Sequence, residues 1–331
     1  MFPSSAIFNT RIDDTTLFPV HAMSAAWVTA VGSTRALHAD WGRSENLDDP
    51  GTYYGIPLNV VDPAAGDTAW PSLSFPVGNS AADESDCALA NASGGHDLVR
   101  DCSVQPPSTL HFPFPRDAAL KIEGGHCNDP QTCGDRHVLI VEQGACRLWE
   151  SYFSYQVSGQ WTAYSTAAWN LQSNAMRPNG WTSADAAGLP IAPLLVRVSE
   201  ASAGQVSHAL RVTFRDSAMA RAATWPGRHR AGGDTPGGIP FGALLRLRGD
   251  VAIPSSWTPQ AQAIARAMQQ YGLYVADIGT DLYVQGEPSL QWESNTIGQL
   301  QTLRMNQFDF VDLGSVTRDA NFDADSFAAR W

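Results

Sequence analysis

The sequence predicts a mainly β fold, an antiparallel β-sandwich or jelly roll with one or two short helices and an irregular N-terminal third. First, short apolar runs of strand length follow one another from Arg136 onward, separated by Gly-containing turns of hairpin size such as Gln143-Gly144-Ala145. Second, residues 206–214 alternate between an apolar and a polar set, as a strand does. Third, residues 1–135 are rich in Pro, Gly, Asp, Ser and Asn. Successive hairpins of this kind are typical of sandwiches and jelly rolls.

The individual elements can be placed along the chain. A short helix is expected at 24–28, a strand at 55–61 and one long loop at 78–105. The β core is expected to use strands at 137–142, 146–157, 161–171, 194–200, 206–214 and 242–248. A longer helix is predicted after Thr258, a good N-cap, with Pro259 at its first position and Gly272 at its end. A second short helix is expected at 295–303.

Composition places the chain among globular proteins. Of its 331 residues, 44% are hydrophobic and 16% charged, which excludes a disordered chain. We predict a single domain in which a loop-rich part, 1–135, packs on a β core, 136–314, followed by a C-terminal tail, 315–331. The formal charge of −12 repels phosphate groups, so nucleic acid and membranes are not expected as partners. No apolar run approaches the roughly 20 residues that cross a bilayer.

The cysteines indicate the compartment. Cys87, Cys102, Cys127, Cys133 and Cys146 lie in one loop-rich stretch without a CxxC pair, which argues against a zinc site. Two local disulfides, Cys87–Cys102 and Cys127–Cys133, are the preferred interpretation, with Cys146 free and buried, and a Cys133–Cys146 pairing stays open. The N-terminus lacks the basic and apolar regions of a signal peptide, so the protein is either cytosolic or begins after a removed signal. Disulfides favour an oxidising compartment and secretion.

Two carboxylates are the candidate catalytic residues. Glu150 lies among apolar and aromatic neighbours in a predicted strand, and such neighbours raise the pKa of a carboxyl group, as a general acid requires. Asp185 lies in a loop of small residues after a Trp, where the backbone can approach a ligand closely. Glu123 and Glu200 are reserve candidates. The structural alternatives are an arginine partner for Glu150 and hydrogen bonds from Asp185 to its own loop.

Further polar and aromatic residues are predicted to bind substrate, namely Arg197, Arg211, His229, His137, Trp181 and Trp225. Eleven Trp residues are a high count, and indole rings stack on sugars as well as packing in cores. His208 is expected on the apolar face of its strand and Arg211 on the polar face, so they cannot line one cleft without a bulge.

Several kinds of chemistry lack their sequence patterns. No metal is expected, because no HxH or HExxH spacing is present, although His126, Asp135, His137, His208 and His229 could converge. The chain also lacks a G-x-S-x-G nucleophile, a phosphate-binding loop and a dinucleotide fingerprint. No cofactor is therefore expected.

Five segments resemble a family of secreted bacterial and fungal proteins. They are GDRHV at 134–138, LWE at 148–150, GWTSADAAGLPI at 180–191, HALR at 208–211 and WPGRH at 225–229. The resemblance spans residues 123–312 and leaves out most of the cysteine-bearing stretch 78–133, which is therefore expected to be a local insertion. It implies an exported protein with a compact β domain and brings no activity with it.

These observations together predict a secreted carbohydrate-active enzyme, a glycoside hydrolase that uses Glu150 and Asp185 on a polysaccharide. A polysaccharide lyase is the alternative within this class, with His137 or His229 as base and an arginine to neutralise a uronate. A non-catalytic glycan-binding module would need aromatic rings but no paired acids. An exported structural protein would need neither.

Overall fold

The computed structural model describes residues 1–76, 80–116 and 120–331, and strands predominate in it. In these residues the helices are short: α1 (Ser24–Val31), α2 (Val198–Ser202), α3 (Pro259–Gln270), α4 (Thr296–Leu300) and α5 (Gly314–Thr317). The strands are β1 (His38–Asp40), β2 (Leu58–Val61), β3 (Thr68–Ala69), β4 (Leu73–Ser74), β5 (Asp86–Ala90), β6 (His96–Arg100), β7 (Phe114–Pro115), β8 (Val138–Glu142), β9 (Arg147–Tyr152), β10 (Tyr155–Val157), β11 (Gln160–Thr162), β12 (Ser165–Asn170), β13 (Leu210–Phe214), β14 (Met219–Ala223), β15 (Ile239–Phe241), β16 (Leu244–Leu247), β17 (Leu273–Ile278), β18 (Tyr283–Gln285) and β19 (Phe308–Val311). The prediction of a mainly β fold is confirmed. Within the described ranges, no helix is both long and apolar enough to cross a membrane.

Two mixed sheets organise the described structure. The larger sheet has strand order β1-β18-β13-β17-β16-β19, and the smaller one has order β12-β9-β8-β2. β13 pairs in parallel with β17, β1 with β18, and β2 with β8, so the sheets are mixed rather than antiparallel as predicted. Parallel pairing requires a long crossover, and the connection from β13 to β17 contains α3.

The N-terminal third is more ordered than predicted. β1 joins the larger sheet, and β2 joins the smaller one. The predicted loop 78–105 contains a hairpin formed by β5 and β6. The first residues of that predicted loop lie outside the described ranges. Both predicted disulfides are present, Cys87–Cys102 at this hairpin and Cys127–Cys133 in a nearby turn. Among the described cysteines, Cys146 is free, but it is half-buried rather than buried, in the turn between β8 and β9.

The smaller sheet is covered on both faces. Its Leu148 lies in one core cluster together with Val212 of the larger sheet. Its opposite face, with Ile140, packs in a second cluster with Phe112 of the N-terminal third. The predicted C-terminal tail is also packed, since Phe327 is buried in the first cluster. Strands covered on both faces show continuous apolar runs rather than alternation.

Helix α3 forms as predicted. Thr258 Oγ1 accepts the N–H of Ala261 at 3.1 Å, and Pro259 occupies the first helical position, where its missing N–H costs nothing. Gly272 follows with φ +76°, and a Cβ there would lie 2.6 Å from the Leu245 carbonyl oxygen. The chain can therefore turn into β17 at this point only with glycine.

Candidate functional site

A cleft lies where the loop 182–186 meets β17. It has a volume of about 390 Å³ and is bordered by Tyr152 and Tyr164 on the side of the smaller sheet. An adjoining cavity of about 220 Å³ shares Asp135, Asp277 and Ile278 with it. We call the two together the central cleft. The carboxyl ends of the parallel strands β13 and β17 meet here, the edge at which parallel sheets usually bind ligands.

The loop 180–191 is held by its small residues. Ser183 Oγ accepts the N–H of Asp185 at 2.9 Å, and the N–H of Ala187 donates to the carbonyl of Ala276 in β17 at 2.8 Å. Gly188 has φ +68°, and a Cβ there would lie 2.7 Å from a backbone carbonyl oxygen. These contacts fix Asp185 against the end of β17.

Asp185 and Arg211 form a buried, bidentate ion pair. Arg211 Nη2 lies 2.8 Å from Asp185 Oδ1, and Nε lies 3.3 Å from Oδ2. Asp277 Oδ2 lies 3.9 Å from the same Nη2. Burial raises the pKa of Asp277 to about 7, the negative charge of Asp185 adds to the rise, and Arg211 opposes it. Because the Asp277 side chain is 25% exposed and that of Asp185 is 0% exposed, Asp277 is the carboxyl group that a ligand can reach.

His137 is a buried imidazolium behind the loop. Its Nδ1 lies 2.6 Å from Glu123 Oε2, and its Nε2 lies 3.0 Å from the carbonyl oxygen of Ala184. Both partners are acceptors, so both ring nitrogens donate. Burial alone would lower the pKa of His137, but the Glu123 carboxylate more than offsets it and raises the pKa to about 9. His137 and Glu123 therefore position the loop, and the prediction of His137 as a base is corrected.

The mouth of the cleft carries groups that a ligand can reach. Asp135 is exposed just before β8, and its Oδ1 accepts a hydrogen bond from the Tyr152 hydroxyl at 3.4 Å. His229 Nδ1 lies 2.8 Å from the Ala186 carbonyl oxygen and therefore donates to it. With Nδ1 as the donor in the neutral ring, Nε2 is the nitrogen that can accept a hydrogen bond.

Glu150, the predicted general acid, lies outside the central cleft. Its carboxylate is fully buried in β9 and accepts the N–H groups of Ile191 at 2.9 Å and Ala192 at 2.8 Å and the indole N–H of Trp169 at 3.2 Å. Burial raises its pKa to about 7, as the sequence argument expected. Since neither Glu150 nor Asp185 exposes its carboxylate, we correct the predicted catalytic pair. Glu150 anchors the end of the loop 180–191.

The reserve candidate Glu200 and the predicted ligand Arg197 are bound to each other. Arg197 Nε donates to Glu200 Oε2 at 2.9 Å, and His208 Nε2 lies 3.0 Å from the same oxygen. In place of the strand predicted at 194–200, a helical turn ends at Leu194, a single parallel bridge joins Val196 to Gly286, and α2 starts at Val198, so that Arg197 and Glu200 lie three residues apart at the start of α2. Neither residue lines the central cleft, so both are corrected to structural roles.

The predicted tryptophans do not line the central cleft either. Trp225 packs edge-on against Phe322, and its Nε1 donates to the Ser326 carbonyl at 3.0 Å. Trp181 lies against the buried guanidinium of Arg177, whose Cζ is 5.6 Å from the ring centroid. Of the predicted substrate-binding residues, the structure brings Arg211 and His229 to the cleft and His137 to its inner wall.

Sequence reasoning missed Asp277 and gave Asp135 only a metal-binding alternative. Asp277 follows the buried apolar run 273–276, and a carboxylate at the end of such a run is a signal that could have found it. The contact of Asp277 with Arg211 could not be inferred, because it depends on the parallel pairing of β13 with β17.

In residues 1–76, 80–116 and 120–331, no group of three or more His, Cys, Asp or Glu side chains is arranged to hold a metal ion. No family model, curated protein or solved structure matches the chain. The function has to be inferred from the chemistry of the central cleft.

Proposed function

We propose that this protein is a secreted glycoside hydrolase in which Asp277 is the general acid and Asp135 the second carboxylate. One observation carries the proposal. Asp135 and Asp277 each line both cavities of the central cleft, and the pKa of Asp277 is raised to about 7. Near neutral pH a large fraction of Asp277 therefore keeps its proton. Most glycoside hydrolases use a protonated carboxyl group and a second carboxylate that flank the glycosidic bond.

The proposed reaction assigns each group one task. Asp277 donates its proton to the glycosidic oxygen as that oxygen leaves the anomeric carbon. Asp135 accepts a proton from the water whose oxygen bonds to that carbon. The Asp277 carboxylate left behind is stabilised by Arg211, 3.9 Å away. Tyr164, 40% exposed, offers a ring face for a sugar, and His229 Nε2 can accept a hydrogen bond from a hydroxyl group.

A polysaccharide lyase is less well supported. It needs a free cation to neutralise a uronate, but Arg211 is already bound by Asp185. It also needs a neutral base, and both nitrogens of His137 donate, so of the two predicted bases only His229 could serve. Among the described lining residues, carboxyl groups outnumber cations, with Asp40, Glu84, Glu123, Asp135, Asp185 and Asp277 against Arg211 and His137. These charges favour a neutral sugar chain as the substrate.

Secretion and the sandwich architecture belong to the same proposal. The two disulfides are bonds that persist in oxidising compartments, which supports secretion. A shared core cluster of the larger and smaller sheets supports a sandwich-like arrangement. Membership in the family of secreted proteins that five segments resemble stays a prediction.

The test is depolymerisation of a panel of neutral plant, fungal and bacterial polysaccharides. New ends are read by reducing-sugar assay and mass spectrometry. The unmodified protein is expected to release saturated oligosaccharides, and Asp277→Asn to lower kcat by about 10²–10⁴-fold, because the amide has no acidic proton. kcat should also fall as the pH rises through about 7, where Asp277 loses its proton.

Asp250→Asn is the matched control, since Asp250 is 72% exposed and outside the cleft. Its kcat should equal that of the unmodified protein. Unsaturated products would replace the hydrolase with a lyase. Retention of full activity in folded Asp277→Asn would remove Asp277 from the mechanism.

A further inference from the structure

A second depression lies on the side of the smaller sheet that faces the N-terminal third. It has a volume of about 730 Å³, and its described lining residues include Trp70, Trp161, Arg116, Arg136, His126 and Gln156. We call it the aromatic groove. It shares no lining residue with the central cleft. The consecutive residues Asp135 and Arg136 line the cleft and the groove respectively, so the two depressions lie on different sides of this segment.

Two indole rings in the groove are held in fixed orientations. The Trp161 ring stacks on Phe114 with centroids 4.4 Å apart and planes at 17°. The Trp70 ring stacks on His96 with centroids 4.0 Å apart and planes at 13°. Because a neighbour already holds one face of each ring, binding a ligand costs little further side-chain entropy. Fixed, flat rings of this kind suit the C–H faces of sugars, which they contact by dispersion.

The charge of the groove is opposite to that of the whole chain. Among the lining residues that the structure describes, Arg116 and Arg136 are charged and none is Asp or Glu, although the chain carries a net charge of −12. Arg116 is exposed, and its guanidinium is oriented by hydrogen bonds from Nε to the Gly66 carbonyl at 2.8 Å and from Nη2 to the Thr68 carbonyl at 3.0 Å. Its Nη1 makes no hydrogen bond to the described residues and can donate to a ligand.

The other polar groups are consistent with this assignment. Arg136 is buried and donates to the Gly125 carbonyl at 2.6 Å, so it contributes positive charge rather than direct contact. At the rim, His126 is paired with the exposed carboxylate of Asp48 at 2.7 Å. The side-chain amide of the exposed Gln156 can form hydrogen bonds with the hydroxyl groups of a sugar.

We propose that the aromatic groove binds a polysaccharide that carries carboxylate groups. The indoles stack on its rings, and Arg116 pairs with a carboxylate. Charge complementarity selects this ligand over a neutral chain, and the carboxylate-rich central cleft disfavours the same ligand there. The groove therefore holds one glycan while the cleft is free to act on another. Binding in the groove does not depend on turnover in the cleft.

The experiment is affinity gel electrophoresis with polygalacturonate in the gel and dextran as the neutral probe. The unmodified protein is expected to be retarded by polygalacturonate and not by dextran. Arg116→Gln and Trp161→Ala should each weaken retardation by about fivefold or more. Two matched controls should leave it unchanged: Arg221→Gln, at a 70% exposed arginine, and Trp331→Ala, at a 57% exposed tryptophan.

A further measurement covers the case in which Trp161→Ala fails to fold. Retardation of the unmodified protein should weaken when NaCl is raised from about 0.05 M to about 0.5 M, because an exposed ion pair is screened. Retardation that is insensitive to salt, equal in dextran, or lost equally in Arg221→Gln would overturn the proposal. Asp277→Asn should bind polygalacturonate normally, so the groove and the cleft can fail independently.

Discussion

Glu150 and Asp277 are two carboxyl groups whose pKa burial raises to about 7. Glu150 is fully buried and accepts hydrogen bonds from two backbone N–H groups and one indole. Asp277 keeps a quarter of its side chain exposed in the central cleft, and its hydrogen bond is to the N–H of the next residue, Ile278. At the residue scale, a raised pKa therefore marks burial, and exposure to the cleft distinguishes Asp277, the proposed acid, from the enclosed Glu150.

The variant Glu150→Gln tests this distinction. The –NH₂ group of glutamine replaces an acceptor and faces N–H donors, so we expect the free energy of unfolding to fall by about 1–3 kcal/mol. kcat per folded molecule should not change. Urea denaturation measures the first quantity and the depolymerisation assay the second. The control is Glu293→Gln, at an exposed glutamate. If kcat of folded Glu150→Gln falls as far as that of Asp277→Asn, Glu150 is the acid instead.

At the scale of single elements, short-range interactions account for the correct predictions. Helix α3 begins where Thr258 caps it and ends before Gly272. The disulfide Cys127–Cys133 joins two cysteines that lie six positions apart in the chain. The strand predicted at 194–200 is wrong because this buried apolar run is divided between the end of a helical turn, a single bridge at Val196 and the start of α2, and a short apolar run cannot be distinguished from a strand by its pattern.

The cap of α3 provides a prediction at this scale. Thr258 Oγ1 accepts the N–H of Ala261 and lies 2.8 Å from Thr296 Oγ1 of α4. Thr258→Ala should lower the free energy of unfolding by about 1 kcal/mol, as measured by urea denaturation. The matched control is Thr29→Ala, at an exposed threonine inside α1, which should cost less. Equal stability of Thr258→Ala and the unmodified protein would show that the cap contributes nothing.

At the scale of the whole molecule, charged groups link stability to pH. The pKa of His137 is about 9 in the folded protein against an ordinary 6.5, so its contribution is complete below pH 6.5 and disappears as the pH rises through 9. The pKa of Asp277 is about 7 against 3.8, so its ionisation weakens the folded state as the pH rises from 3.8 to 7. The pKa of Glu200 is about 2 against 4.5, so its contribution is lost as the pH falls from 4.5 through 2.

These three groups, together with Glu150, whose pKa burial raises from 4.5 to about 7, predict that the free energy of unfolding is greatest near about pH 4 and declines by several kcal/mol toward pH 9. Chemical denaturation across this range measures it. His137→Gln should flatten the decline between pH 6.5 and 9, whereas His126→Gln, at a 61% exposed histidine, should leave it in place. A stability that rises from pH 6.5 to 9 would contradict the assignment of His137 as a buried imidazolium.

By itself the sequence determined the mainly β class, the position of α3 and the two disulfides, because each depends on composition or on residues close together in the chain. The tertiary structure decided which carboxylates line the central cleft. The parallel pairing of β13 with β17 brings Arg211 beside Asp277, and the start of β8 adds Asp135. Exposure of a side chain depends on every element packed around it, and strand order is set by long-range packing that local patterns do not encode.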